Sequence, residues 1–154
     1  MFAIKKIMFP TDFSSYSNQA YFHAVALAET HSATLTIIYV LSPDQQNPEE
    51  RAKTAAHWLD QLEMIRPLNP HIPTSHLVLE GDPAQEIVKY ATQSRMDLIV
   101  MGTHGRTGTE RQLMGSVAEQ VVRYASCSVM VVKMGRAQPI TADPILIPNH
   151  SKNG

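Results

Sequence analysis

Leu98-Ile99-Val100-Met101-Gly102-Thr103-His104-Gly105, with Gly115-Ser116-Val117-Ala118-Glu119 close behind, decides how this chain is read. The run from Leu98 to Met101 is wholly apolar, which suits a strand covered on both faces. It ends in a glycine turn, and a third glycine opens a helix. Glycines let a ligand approach the backbone closely. A helix start adds N–H groups without intrahelical partners, at the positive end of the helix dipole. The expectation is a buried strand that hands over to a turn able to hold phosphate.

Outward from this stretch, apolar runs alternate with amphipathic ones. Ile4 to Phe9 reads as a first strand closed by Pro10. Ala20, Ala24, Leu27 and Ala28 mark the buried stripe of a helix from about Ser15 to His31. Thr34 to Val40 is rich in β-branched and aromatic residues, as strands are. After a polar loop, Asn47-Pro48-Glu49-Glu50 supplies a cap, a first-turn proline and an acid at the third position for a second helix. Its stripe is read as Ala52, Ala55, Leu59 and Leu62, and Pro67 and Pro70 stop it. Ser75 to Leu79 is a short strand, and Gly81-Asp82-Pro83 opens a helix with the stripe Ala84, Ile87, Val88 and Ala91. Asp97 to Met101, Ser116 to Ala125 and Cys127 to Val132 read as strand, helix and strand. The alternation predicts an α/β fold, an open doubly wound parallel sheet of five strands with helices on both faces. Residues 1–133 make up this domain. Residues 134–154, with Pro139, Pro144 and Pro148, read as an irregular tail whose Ile145-Leu146-Ile147 triplet either docks or frays.

Composition narrows the classes. The chain has 154 residues, 44% hydrophobic and 18% charged, which fits one globular domain. Its 13 basic and 14 acidic residues leave a net charge of −1, so no basic footprint for nucleic acid is present in the totals. Its single cysteine, Cys127, has no internal partner and fits a reducing compartment, with a small apolar packing role. The start carries lysines inside its apolar segment and no cleavage pattern, and no run approaches membrane-spanning length. The expected location is therefore the cytoplasm, with no nucleic-acid or membrane partner.

In a doubly wound sheet, ligands bind beyond the carboxyl ends of the strands, where strand order reverses. With five strands of this type the crevice lies between the first and the fourth. Pro10-Thr11-Asp12 then faces Gly102-Thr103-His104-Gly105, so topology and glycines point to one place. Ser116 with Glu119 fits a capping box, which alone is a structural feature. With Gly115 and the glycine turn before it, the same hydroxyl and its neighbouring N–H groups also suit a phosphate. Arg106-Thr107-Gly108-Thr109-Glu110-Arg111 is either a solvated loop or a lid that lays guanidinium on phosphate oxygens. Asp12 either reaches a base, a ribose or a phosphate-bound metal, or bonds its own turn. Val40 ends the second strand beside the same crevice, and its backbone is placed to face a flat base. His104 is a ligand, a general base or a surface residue. Trp58 reads as packing. No metal-ligand cluster, catalytic nucleophile or base stands out, so no catalytic residue is assigned.

Several familiar motifs are absent: no P-loop, no G-x-G-x-x-G in the first turn, no G-x-S-x-G elbow. Gly102-Thr103-His104-Gly105 formally matches the GXXG of an RNA-binding KH module, but it ends an apolar strand in a slightly acidic chain.

Met101-Gly102-Thr103-His104-Gly105-Arg106, followed by Gly115-Ser116, resembles the G-x2-G-x9-G-[ST] signature of nucleotide-binding universal stress proteins. Pro10-Thr11-Asp12-Phe13-Ser14, Gly81-Asp82-Pro83 and Asp97 to Gly102 resemble that family's pattern in the same order, from about Lys5 to Lys133. The resemblance implies strand order 3-2-1-4-5 and a homodimer paired through the last strand, Cys127 to Val132. It implies ATP, or ADP or AMP, in the crevice, with Mg2+ carried by phosphate oxygens. Asp12 and Val40 would meet adenine or ribose, and Gly102 the ribose side. Gly105, Gly115, Ser116 and Val117 would hold phosphates. Pro10, Thr11, Met101 and Arg106 complete the binding set. This chain has Ser128 where the family commonly has proline, and its tail runs past the family's usual end. The expected function is an ATP-binding regulatory stress protein with at most slow hydrolysis. The alternatives are a true ATPase or nucleotide hydrolase, and a nucleotide-free dimeric interaction protein.

Overall fold

The computed structural model describes residues 2–43, 47–104 and 114–133. The order is β1 (Lys6–Pro10), α1 (Ser15–His31), β2 (Thr34–Leu41), α2 (Pro48–Glu63), β3 (Thr74–Glu80), α3 (Pro83–Gln93), β4 (Leu98–Gly102), α4 (Ser116–Tyr124) and β5 (Ser128–Val132). All strand pairs are parallel, in the order β3-β2-β1-β4-β5. The expected fold class and strand order are what the structure has.

Alternation along the strands divides the core in two. Ile7, Phe9, Leu35, Ile37, Leu98 and Val100 pack with the alanine stripe of α1 and with Leu62 of α2. Met8, Ile38, Ile99 and Met101 point the other way, onto Ala84, Ile87 and Ala91 of α3 and Ala118 and Val121 of α4. Strand side chains change face at every residue, so an uninterrupted apolar run such as β4 feeds both layers. Every residue of β4 is buried.

Small differences from the sequence reading have local causes. Asp97 lies just before β4. Its carboxylate accepts the N–H groups of Lys5 and Lys6, both at 2.9 Å, and so ties the chain leading into β1 to β4. The stripe of α2 omits Ala52, which is exposed, and includes Trp58, which is half-buried. The phase is set by Leu62, the one fully buried residue of that helix, not by the first alanine. Ser128 pairs with Leu98 in regular register, so β5 forms without the family's proline.

Two residues position the crevice. Pairing of β1 with β2 continues to Pro10↔Ile38, whereas pairing with β4 is confined to Ile7↔Leu98 and Met8↔Ile99. The N–H of Thr11 bonds Ile38 O on β2 at 2.8 Å. Strand amides alternate in direction, so residue 10 faces β4, where proline offers no donor. The second residue is Gly102. A Cβ there would lie 2.6 Å from the carbonyl oxygen of Tyr16, so the first turn of α1 rests directly on the end of β4.

Two outcomes are expected. Gly102→Ala forces backbone apart and costs about 1–3 kcal/mol, read as a lowered urea midpoint with unchanged m-value. Burial pushes the Cys127 thiol up, Asp97 adds to the rise, and a backbone hydrogen bond opposes it. Its share of stability is then intact below the ordinary thiol pKa and lost as pH rises past it. Alkylation by iodoacetamide at pH 8 is slow in the native protein and fast in urea.

Candidate functional site

The carboxyl ends of β1, β2 and β4 and the starts of α3 and α4 enclose a cleft of about 570 Å3. Nine of the residues expected from the sequence line it: Pro10 at the end of β1 with Thr11 and Asp12 after it, Val40 on β2, Met101 and Gly102 on β4, and Gly115, Ser116 and Val117 at α4. Gly105 and Arg106, with the rest of 105–113 and the tail 134–154, lie outside the described residues. Tyr39, Ser42, Pro83, Ile87 and Ala118 also line the cleft and were not expected. A signal for Pro83 and Ile87 existed: every strand-to-helix turn of a parallel sheet reaches the same edge, so Gly81-Asp82-Pro83 marked more than a helix start.

The wall after β1 is a tightly bonded turn. Phe13 N–H donates to Thr11 Oγ1 at 3.0 Å, and Ser17 Oγ donates to Ser14 O at 2.8 Å. Thr11 and Ser17 hydroxyls are 3.0 Å apart. Since Ser17 uses its proton on Ser14, Thr11 is the donor, and the bonds run in one direction from the turn into α1. The Thr11 hydroxyl is thus engaged in structure. Asp12 Oδ1 accepts Ser14 N–H at 2.9 Å, so the expected turn bond and the place on the cleft wall occur together. Phe13 has φ of 63°, a left-handed conformation that costs an L-residue about 1–2 kcal/mol. Its ring contacts Tyr39 and Trp58, and such pairs stabilise by about 0.5–1.5 kcal/mol each, enough to offset the strain.

The opposite wall is held by backbone bonds. Thr103 N–H donates to Val132 O at 3.2 Å, and Gly115 N–H donates to Thr103 O at 2.6 Å. The last residues of β4 and the start of α4 are therefore fastened side by side. His104 Nδ1 lies 3.1 Å from Thr103 Oγ1, and its ring rests on Tyr16 at 5.3 Å.

The helix start differs from the capping box read in the sequence. Gly115, not Ser116, is the N-cap of α4, and as a glycine it makes no side-chain cap bond. Glu119 N–H bonds Gly115 O at 3.0 Å, which fixes that phase. Ser116 is the first helical residue and is exposed. Ser116, Val117 and Ala118 line the cleft, and among the described residues the Ser116 hydroxyl has no hydrogen-bond partner. By contrast, Asn47 accepts Glu50 N–H at 2.9 Å and Asp82 accepts Gln85 N–H at 3.0 Å, as their sequences indicate. Among the described residues no group of three or more His, Cys, Asp or Glu stands ready for a metal ion. Among them, too, no helix is long and apolar enough to cross a membrane.

The universal stress protein family model matches residues 3–133. The universal stress protein MJ0531 of Methanocaldococcus jannaschii is 40% identical over 139 residues, 84% of this chain and 82% of that protein. The structure of the hypothetical protein MJ0577, from the same organism, superposes with a TM-score of 0.78 at 28% identity, covering 87% of this chain and 99% of that one. A universal stress protein from Archaeoglobus fulgidus, solved in complex with dAMP, shares the fold with a TM-score of 0.58 at 19% identity, covering 86% and 100%.

The cap assignment has a direct consequence for stability. Asp82→Ala removes a working cap and lowers unfolding free energy by about 1 kcal/mol. Ser116→Ala removes none, and its urea midpoint stays at the parent value.

Proposed function

This chain belongs to the universal stress protein family, and on that premise we propose that it is an ATP-binding regulatory protein and not an efficient enzyme. The observation that carries the reading is the convergence on one cleft of the β1 tip, the β4 tip and an α4 start whose N-cap, a glycine, offers its amides no side-chain cap. Its volume is in the range of small-molecule sites, about 300–1,000 Å3. An uncapped helix start is a natural acceptor of phosphate. Ser116 and Val117, with Gly115 beside them, take the phosphates, and Gly105 and Arg106 complete that end. Pro10 and Gly102 border the ribose, against Thr11 and Met101. Asp12 and Val40 meet adenine or ribose. A protein of this fold from Archaeoglobus fulgidus was solved in complex with dAMP, which supports an adenine nucleotide as the class of ligand. ADP and AMP fit the same positions.

Mg2+, in this reading, enters with the phosphates, and Asp12 is the one carboxylate among the described residues that lines the cleft. Phosphoryl transfer depends on positioned water and charge. Asp12 is tied to its own turn and His104 leans on Tyr16, which supports holding a nucleotide over turning it over. We further propose a cytoplasmic homodimer paired through the last strand: β5 is a sheet edge, hydrogen-bonded to β4 alone among the described strands. Nucleic acid and membrane have no part in this reading.

Calorimetry with ATP, ADP and AMP is the test. The parent protein binds, and Gly115→Val raises Kd roughly tenfold or more while circular dichroism stays the same. Multiple-turnover hydrolysis of Mg·ATP that Asp12→Ala and Ser116→Ala abolish establishes an ATPase instead. Absence of binding at millimolar nucleotide establishes a nucleotide-free interaction protein.

A further inference from the structure

Phe13 directly follows Asp12, yet it does not line the cleft. It is a bulky residue at φ 63°, a region that such side chains avoid. Its ring packs on both Tyr39 at 5.2 Å and Trp58 at 5.3 Å, and those two rings meet at 4.8 Å, so the three close a triangle. Three elements converge there: the β1–α1 turn, β2 and α2. Strain that the surroundings hold in place, beside a site, points to a constraint on the site's geometry.

The constraint can be traced atom by atom. Phe13 N–H goes to Thr11 Oγ1, and the next amide, Ser14 N–H, goes to Asp12 Oδ1. If residue 13 relaxes out of the left-handed region, Ser14 N–H turns away and the Asp12 carboxylate loses a bond that helps to orient it. The backbone strain favours that release, and the ring's lodgement opposes it. Tyr39 belongs to both structures, since it lines the cleft and packs on Phe13.

We propose that Phe13 is a positioning residue for the nucleotide, its ring lodged against the touching pair Tyr39 and Trp58 so that the Asp12 carboxylate is held in place on the cleft wall. The proposal rests on the nucleotide reading of that cleft. Binding of ATP is measured by calorimetry for the parent, Phe13→Leu, Phe13→Gly, Phe13→Tyr, Asp12→Asn and the double variant of Phe13→Leu with Asp12→Asn. Phe13→Leu and Phe13→Gly raise Kd roughly tenfold, and Phe13→Tyr stays within about twofold of the parent. The double variant binds no worse than Asp12→Asn alone, because residues acting through one group are not additive. A structural role alone gives additive losses.

A ligand-free measurement accompanies it: amide exchange at Ser14 is slow in the parent and accelerates in Phe13→Leu and Phe13→Gly. Additive losses, parent affinity in both variants or unchanged Ser14 exchange overturns the proposal. A parent protein that binds none of ATP, ADP and AMP overturns the nucleotide reading and this proposal with it. A binding parent with unaffected variants overturns this proposal alone.

Discussion

The carbonyl oxygen of Tyr16 lies 2.6 Å from where any side chain at position 102 would begin. That contact sets the distance between the first turn of α1 and the end of β4, and the rest of the cleft inherits it. With α1 seated so closely, the turn carrying Asp12 stands beside the strand tip that leads to Gly115. Pro10 then keeps the two strands from zipping together, since it has no amide to offer β4. Thr103 fixes the other side, accepting from Gly115 N–H and donating to Val132 O. A glycine that excludes a side chain and a proline that withholds a donor thus make the opening, and neither needs to touch a ligand to do so.

Much of this was legible in the sequence because it is local. Helices α2 and α3 announce themselves through Asn47-Pro48 and Asp82-Pro83, whose side chains make the cap bonds their positions imply. The buried β4 follows from an uninterrupted apolar run, and strand order from the family resemblance. The misreadings are equally local in origin. Ser116 and Glu119 have capping-box spacing, but Gly115 already adopts the extended cap conformation, with φ −70° and ψ 164°. One residue of phase separates the two readings, and pattern matching has no information on phase. Ala52 failed in the same manner, since alanine stripes mark a face weakly.

The illegible part is long-range. Nothing near Phe13 in the chain signals that Tyr39 and Trp58 will meet its ring, because those contacts depend on three elements arriving together. Nor does local pattern reveal that Phe13 is left-handed, a conformation that sequence statistics assign to glycine or asparagine. Pro83 and Ile87 differ, because topology did carry a signal for them. Their own motif reads fully as a helix start, and only the shared edge of the strand-to-helix turns brings them to the cleft.

Among the described residues the buried apolar side chains fall into two clusters. Ile7, Phe9 and Leu35 serve α1 and α2, whereas Met8, Ile38 and Ile99 serve α3 and α4. The cleft is where both layers are exposed at once: Asp12 and Ser17 come from the α1 side, Pro83, Ser116 and Ala118 from the α3 and α4 side. A molecule lodged there makes contacts to both layers that the empty protein does not make. It therefore stabilises their relative placement in proportion to its affinity and concentration, by mass action. By this physics any protein with such a cleft can convert the presence of a small ligand into a change of rigidity. A catalyst gains nothing from such bridging unless it also orients a reacting atom. Here several polar groups on the walls already bond within the protein: Asp12 accepts from Ser14 N–H, the Thr11 hydroxyl accepts from Phe13 N–H and meets Ser17 Oγ, and the Thr103 carbonyl accepts from Gly115 N–H.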